Sequence, residues 1–222
     1  MARKRKVGNL MGLAVLATLA VRPMHRYEIA ATMKERGKDR DMAVKWGSLY
    51  TVVENLEKHG FLEVVGSERD GARPERVIYR ITDAGRAEML DWAKELLSTP
   101  EPEPSRFVAG LSVMAVLTPD DAVELLDRRL SVLEAETATA RAELATLDGT
   151  LPRLFLVEME YTIAMRQAET EWVRALRDSM ADGSFPDLDQ WRCFHDSGRP
   201  AEYVEEIEAR MKGASPSRPT TD

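Results

Sequence analysis

The chain has 222 residues, of which 31% are charged and 44% are hydrophobic, and its formal net charge at pH 7 is −7. This balance is typical of a globular protein, and the length allows one large or two modest domains. The single cysteine excludes an intrachain disulfide framework, and three scattered histidines argue against a metal site.

The charge is unevenly distributed along the chain. Residues 1–98 contain 18 Lys and Arg against 14 Asp and Glu, whereas residues 99–222 contain 13 against 24. A net negative protein normally does not bind nucleic acid, but a basic half joined to an acidic half indicates that the first half meets a polyanion. The alternative is an uneven spread without functional meaning.

The beginning of the chain allows two interpretations. Four basic residues, 3–6, precede an apolar run over 10–21, which is the outline of a secretory signal peptide. The run is too short to span a bilayer, which takes about 20 apolar residues. The alternative is a first helix over about 6–21, ended by Arg22-Pro23, in a protein that stays in the cytoplasm.

Further helices and a ribbon are predicted next. The second helix covers about 25–36, and the third covers about 48–59, with Ser48 or Gly47 as its N-cap and Gly60 after its C-terminus. Strands are expected at 61–65 and 76–81 around a turn, and a fourth helix runs from Thr82-Asp83 to about Leu97. This order is typical of a winged helix-turn-helix, whose third helix enters the major groove of DNA.

This architecture argues against a signal peptide at the start of the chain. The apolar run supplies the helix on which the domain closes, with Met11, Val15, Leu16 and Leu19 facing helices two and three. Its removal would leave four apolar partners without a surface to pack on, namely Tyr27, Ile29, Leu49 and Leu56. The basic residues 3–6 then form an arm that could lie along DNA.

The third helix has two distinct faces. Leu49, Val52, Val53 and Leu56 share one face, and Ser48, Thr51, Asn55 and Lys58 share the other. Hydroxyls and a helix N-terminus bind phosphates, and Asn can read an adenine edge. Glu54 and Glu57 run against this interpretation, because acids are repelled by DNA unless they accept from cytosine or point sideways.

The other predicted contacts lie around this helix. The Tyr50 phenol can donate to a phosphate, and arginines in the turn can clamp phosphates or enter a narrow minor groove. For any single arginine, solvent exposure is the alternative. The predicted DNA-binding residues are Arg26, Tyr27, Lys45, Ser48, Tyr50, Thr51, Asn55, Lys58, Arg69, Arg73 and Arg76.

The second half of the chain is predicted to be helical. A proline-rich linker at 98–106 precedes it, and Thr118-Pro119 is a strong helix start. Apolar residues from Val123 to Leu147 then repeat at steps of three and four, as in a coiled coil. A second long helix is predicted at about 152–181 and a short one at about 200–212, followed by a disordered tail over 213–222.

These two long helices either close on each other or pack against a second copy of the chain. The residues expected at a dimer interface are Leu126, Leu130, Leu133, Leu144, Tyr161, Met165, Trp172 and Leu176. The predicted fold is therefore mainly α, with a winged helix-turn-helix domain over 1–97 and an all-helical dimerisation domain over 107–212.

Three stretches together resemble the PadR family of bacterial transcriptional regulators. They are PMHRYEI, GSLYTVVENLEKHGFL and GARPERVIYRITDAGR, in this order. The resemblance is specific over about residues 10–97 and looser beyond. It implies a homodimeric winged-helix repressor that binds a double-stranded, roughly palindromic operator, and whose relatives often respond to small aromatic or drug-like compounds. Arg22 and Arg26 stand where the family commonly has glycine, and Arg26 either adds a phosphate contact or alters the turn.

Other candidate sites are weaker. Trp92, Tyr161 and Trp172 could line an effector pocket, although aromatic residues at helical spacing are usually core. Cys193 near His195 could sense redox state, although a lone cysteine is more often inert. No phosphate loop, HExxH or GxSxG motif is found, so the sequence predicts no enzyme, no cofactor and no membrane partner. The remaining functional alternative is a protein-interaction adapter that does not bind DNA.

Overall fold

The computed structural model describes residues 5–38, 42, 46–68, 76–101, 105–196, 205 and 208–210. It divides into two compact units, Met1–Glu103 and Pro104–Asp222. This division lies within the predicted proline-rich linker. The predicted tail at 213–222 and most of the predicted helix at 200–212 lie outside the described residues.

The first unit consists of helices packed beside a small sheet. Its helices are α1 (Leu10–Leu19), α2 (Arg26–Glu35), α3 (Leu49–Lys58) and α4 (Asp83–Ser98), and a 3₁₀ turn, Trp46–Ser48, leads into α3. Its strands are β1 (Met24–His25), β2 (Leu62–Glu68) and β3 (Arg76–Ile81). The winged helix-turn-helix predicted from the sequence is confirmed.

The wing contains one strand more than expected. The sheet is antiparallel with the order β1-β3-β2, so that Met24 pairs with Tyr79 and Leu62 pairs with Ile81. A register shift lies between Val64 and Gly66. The sequence did not reveal β1, because two residues are too few to show the alternation by which a strand is recognised.

The apolar run at the start of the chain is a core helix. Asn9 caps α1, and its Oδ1 accepts from the Met11 amide at 3.0 Å. All but two of its ten residues are buried, so α1 is covered on nearly every side. Its neighbours in the core include Ile29 and Met33 of α2, Val53 and Leu56 of α3, and Tyr79 of β3.

The N-terminus of α4 contacts the residues that follow the C-terminus of α3. Thr82 caps α4 by accepting from the Gly85 amide, and its hydroxyl donates to the Gly60 carbonyl at 2.7 Å. Gly85 lies so close to the Phe61 carbonyl oxygen that a Cβ on this residue would collide with it. This position therefore requires glycine, because only glycine allows so close an approach of α4 to the chain that leaves α3.

The second unit is a helical hairpin with shorter helices beside it. Its helices are α5 (Arg106–Ser112), α6 (Pro119–Leu147), α7 (Val157–Ala181) and α8 (Leu188–Asp196). Thr118 caps α6 by accepting from the Asp121 amide at 3.1 Å, as its sequence signal predicts. The sequence did not reveal α5 and α8, which are too short for a clear periodic pattern.

The hairpin is held by an apolar seam with ion pairs along it. Ala122, Leu126 and Leu130 of α6 form a buried cluster with Val173 and Met180 of α7. Four arginines pair with acids on the facing helix: Arg129 with Glu169, Arg166 with Glu136, Arg174 with Glu134, and Arg177 with Asp127. Among the described residues, no helix combines the length and apolar character needed to cross a membrane.

Candidate nucleic-acid interface

Helix α3 separates its apolar and polar residues completely. Leu49, Val52, Val53 and Leu56 are buried in the core of the first unit. The exposed residues are Tyr50, Thr51, Glu54, Asn55 and Lys58, and we call them the reading face. Thr51, Asn55 and Lys58 therefore lie open to solvent, as their spacing predicts. Their contact with DNA stays a prediction.

The N-terminus of α3 is not capped by a side chain. Ser48 occupies the N-cap position, but its side chain makes no capping hydrogen bond. The Ser48 hydroxyl instead lies 3.7 Å from the sulfur of Met11, and the residue is half-buried. Ser48 is thus the N-cap residue, as predicted, but it does not cap the helix through its hydroxyl. The helix dipole favours an anion at this end of α3.

Arg26 links α2, α3 and the wing. Its guanidinium donates to the Tyr79 hydroxyl at 2.6 Å and lies 3.3 Å from a carboxylate oxygen of Glu54. It also packs over the rings of Tyr50 and Tyr79, at 5.4 Å and 5.3 Å from their centroids. The predicted DNA-binding residue Arg26 therefore lies beside the reading face, but it is already engaged by an acid and two aromatic rings.

The N-terminus of α2 is stabilised by side chains close to it in the sequence. His25 caps the helix, with Nδ1 accepting from the Glu28 amide at 3.1 Å. Arg22 pairs with Glu28, and the hydrogen bond from this guanidinium lowers the pKa of the Glu28 carboxyl. Tyr27 is 77% exposed, so its expected packing against α1 is wrong. Tyr27 instead presents its phenol to solvent beside the helix N-terminus.

The predicted contacts of the wing turn fall outside the described part of the chain. Lys45, Arg69 and Arg73 lie outside the described residues, and so does the side chain of Arg76, whose backbone begins β3. Their roles remain predictions from the sequence.

Arg5 is not part of a free arm. Its side chain is only 4% exposed and pairs with three acids on α4, namely Glu88, Asp91 and Glu95. The guanidinium also lies 5.1 Å from the ring centroid of Trp92. Burial opposes the charged form, but the hydrogen bonds to Glu88 and Glu95 outweigh it, so the pKa of Arg5 is raised. Arg5, which was predicted to belong to the arm at 3–6, therefore binds this part of the chain to α4.

The residues predicted for dimerisation separate into two groups. Leu126, Leu130 and Leu133 are buried, and Leu144 and Leu176 are half-buried; Leu126 and Leu130 pack with Val173 inside the hairpin. Tyr161, Met165 and Trp172 of α7 are exposed by 68%, 49% and 52%. The coiled-coil repeat of α6 thus contributes to the protomer's own core, whereas these three large residues of α7 remain exposed.

The predicted effector residues lie in different units. Trp92 is buried in the first unit, where Arg5 packs on its ring. Tyr161 and Trp172 belong to the second unit, and the Trp172 ring makes an edge-to-face contact with Phe107 of α5, with centroids 6.1 Å apart. An effector role for these residues stays a prediction. Cys193 is exposed, and no group of three metal-ligating side chains is found among the described residues.

The reading face contains two features that the sequence did not reveal. Glu54 belongs to this face and does not point sideways, and its partner is Arg26, which is 28 positions earlier in the chain. The hydroxyl of Tyr79, which completes the contact, is 53 positions from Arg26. Alternation in β3 indicates that Tyr79 points inward, but no local pattern reveals which side chain it meets.

Comparisons with known proteins agree with this geometry. Residues 15–91 match the model of the transcriptional regulator PadR-like family. A comparison with curated protein sequences found no match. Among solved structures, Bacillus subtilis PadR in complex with operator DNA is 18% identical, with a TM-score of 0.64 over 77% of this chain and 99% of that chain.

Two further structures share the fold. Bacillus subtilis PadR in complex with p-coumaric acid is 18% identical, with a TM-score of 0.61 over 78% of this chain and 99% of that chain. The Vibrio cholerae virulence activator AphA is 16% identical, with a TM-score of 0.56 over 78% of this chain and 98% of that chain. The family match over residues 15–91 and the shared fold confirm the resemblance found in the sequence: the first unit resembles that of the PadR-like transcriptional regulators.

Proposed function

We propose that this protein is a homodimeric, cytoplasmic repressor that binds a roughly palindromic DNA operator through the reading face of α3. The observation that carries the proposal is the complete separation of α3 into a buried apolar face and an exposed polar one. The four aliphatic residues of α3 are buried within the unit, so they leave no aliphatic surface for another protein to cover. Thr51, Asn55 and Lys58 supply the hydroxyl, amide and ammonium groups that bind phosphates and base edges.

The second unit supplies the dimer interface. Tyr161, Met165 and Trp172 lie on an exposed apolar face of α7, and the hairpin covers its other face with α6. Large exposed apolar patches mark protein interaction sites. A two-fold pair of chains would place two reading faces in successive major grooves, about 34 Å apart, which requires a roughly palindromic site.

A small aromatic molecule is the expected effector. This chemical class is supported by Bacillus subtilis PadR, a protein of the same fold whose structure was solved in complex with p-coumaric acid. Binding would change the angle between the two winged units and mismatch the half-site spacing, which releases the DNA.

Gel shifts of the purified chain on the DNA upstream of its own gene, over a salt series, test the proposal. Because affinity comes largely from phosphate contacts, the logarithm of the binding constant should fall linearly with the logarithm of salt concentration. A shuffled fragment of equal length is the control and should bind more weakly at every salt concentration. No shift at low salt would favour the adapter alternative.

The sign of regulation needs a second measurement, because AphA, which shares the fold, is an activator. A reporter gene behind the same upstream DNA should be transcribed less when the protein is expressed. Increased transcription would contradict repression and leave DNA binding intact.

A further inference from the structure

Glu54 is an acid in the middle of a surface proposed to meet DNA. It lies one turn after Tyr50 and one turn before Lys58, and these three exposed residues form one row of the reading face. Its side chain is 60% exposed, whereas Glu57 on the same helix is half-buried at the margin of the face. An exposed carboxylate in this position opposes binding to any phosphate, so its presence requires a compensating group.

Arg26 is that compensating group. Its side chain is only 27% exposed, and its guanidinium packs on the rings of Tyr50 and Tyr79 and donates a 2.6 Å hydrogen bond to the Tyr79 hydroxyl. From this fixed position it pairs with Oε1 of Glu54 at 3.3 Å. The pair reduces the negative potential of the reading face and restricts the rotamers of the Glu54 side chain.

A held but exposed carboxylate can still accept hydrogen bonds. Phosphate and sugar oxygens of the DNA backbone cannot satisfy it with a donated proton, whereas an amino group at a base edge can. In the major groove, the N4 amino group of cytosine is the donor that Glu characteristically recognises. The neighbouring Asn55 offers the complementary chemistry, because its amide can both donate to and accept from adenine.

We propose that Glu54 determines sequence specificity by accepting a hydrogen bond from the N4 amino group of a cytosine, and that Arg26 is a positioning residue for this contact. Arg26 thus acts through Glu54 and does not primarily bind phosphate. This inference rests on the proposed function, since it requires that the reading face enters the major groove.

The test is selection of binding sites from a randomised double-stranded DNA library by the full-length protein. The wild type should enrich cytosine at one fixed position of each half-site. Glu54→Ala should lose the preference at that position alone, by roughly five- to tenfold in relative affinity, and keep the preferences at other positions. Because one negative charge is removed, Glu54→Ala should also bind shuffled DNA at least as tightly as the wild type does.

Arg26 is tested by its dependence on Glu54. Arg26→Ala should weaken binding to every sequence and reduce the cytosine preference, because it leaves Glu54 uncompensated and less ordered. In the Glu54→Ala background, Arg26→Ala should have no further effect on specificity at that position. A purely structural role for Arg26 would instead change the preferences at all positions in both backgrounds. Glu57→Gln removes a charge from the same helix and is the matched control, with unchanged site preferences expected.

The two hypotheses fail differently. If the wild type enriches sites and Glu54→Ala keeps the same base preference at every position, the role of Glu54 is wrong while DNA binding stands. If the wild type enriches no sequence above beads without protein, the proposed function itself is wrong. Circular dichroism of each variant shows whether the fold is retained, and Glu54→Ala, which changes an exposed helix residue, should keep it.

Discussion

Helices α3 and α7 are both amphipathic, but they leave opposite surfaces unpaired. Helix α3 buries its aliphatic residues within its own unit, and its exposed side is polar. Helix α7 packs Val173 and Met180 against α6, but still exposes Tyr161, Met165 and Trp172. The exposed surface of α3 is therefore polar, whereas α7 exposes an apolar surface that the described residues of its own unit do not cover.

This difference separates two kinds of recognition. A polar face with hydroxyl, amide and ammonium groups suits phosphates and base edges. An exposed apolar face suits another protein surface, because only burial of that face removes it from water. The charge division of the sequence agrees, since the unit with α3 is net basic and the unit with α7 is strongly acidic. Breaking one surface should therefore leave the other intact.

The largest expected effect comes from Gly85, which holds α4 against the end of α3. In Gly85→Ala, the new methyl group would collide with the Phe61 carbonyl oxygen, a backbone atom that cannot move without displacing its chain. Overpacking of this kind should lower the free energy of unfolding of the first unit by about 3 kcal/mol. Urea denaturation followed by circular dichroism measures the change.

Gly110→Ala is the matched control for this prediction. Gly110 also lies in a helix, but a Cβ there would have no neighbour within 4 Å. Because alanine favours the helix more than glycine does, Gly110→Ala should be neutral or stabilising by up to about 1 kcal/mol. Equal destabilisation by the two substitutions would contradict the close approach at Gly85.

The next effect concerns the apolar face of α7. Tyr161→Glu introduces a charge at a residue that is 68% exposed in the single chain and would be buried in a dimer. Desolvation of that charge should raise the dimer dissociation constant by about 30-fold or more, as is typical at a central interface residue. Analytical ultracentrifugation measures the constant directly.

Ala142→Glu adds the same charge to an exposed position on α6, away from the hairpin seam, and should leave the dimer unchanged. Both variants should keep the helical circular dichroism signal of the wild type. If Tyr161→Glu associates as tightly as Ala142→Glu does, the apolar face of α7 is not the dimer interface.

A smaller effect is expected on DNA binding when single residues of the reading face are replaced. Lys58→Ala should weaken binding to all DNA sequences and reduce the salt dependence by about one phosphate contact. Asn55→Ala should cost about 1–3 kcal/mol at the preferred site and relax the sequence preference, with the salt dependence unchanged. Fluorescence anisotropy with specific and shuffled duplexes over a salt series measures both. Identical behaviour of the two variants would mean that Asn55 does not contact a base.

Much of this division was predictable from local sequence patterns. The steps of three and four in α3 identify its buried and exposed residues, and the Thr118-Pro119 signal identifies the start of α6. Such patterns depend on a few consecutive turns of chain, which is why they survive without knowledge of the fold. The same reasoning gave the wing, except for the two residues of β1.

Contacts between distant residues were not predictable. The sequence predicts that Arg5 belongs to a basic arm, but its partners Glu88 and Glu95 lie more than 80 positions away on α4. The repeat of α6 suited an intermolecular coiled coil, yet α7 of the same chain covers it. A periodic apolar stripe shows that a surface must be buried and does not reveal what buries it.

The smallest expected effect concerns the pKa of one carboxyl group in each unit. Glu28 accepts from Arg22 beside α2, and Glu160 accepts from Arg153 at the start of α7; in both cases the hydrogen bond from arginine lowers the carboxyl pKa. A lowered native pKa stabilises the fold above the ordinary value of 4.5, and this contribution is lost as the pH falls through the native pKa. The stability difference between wild type and Glu28→Gln should therefore shrink below pH 4.5. Side-chain carboxyl NMR titrations should give midpoints below 4.5 for both residues, and Arg22→Ala should restore only that of Glu28. A shift of Glu160 in the same variant would show that the two units do not behave independently.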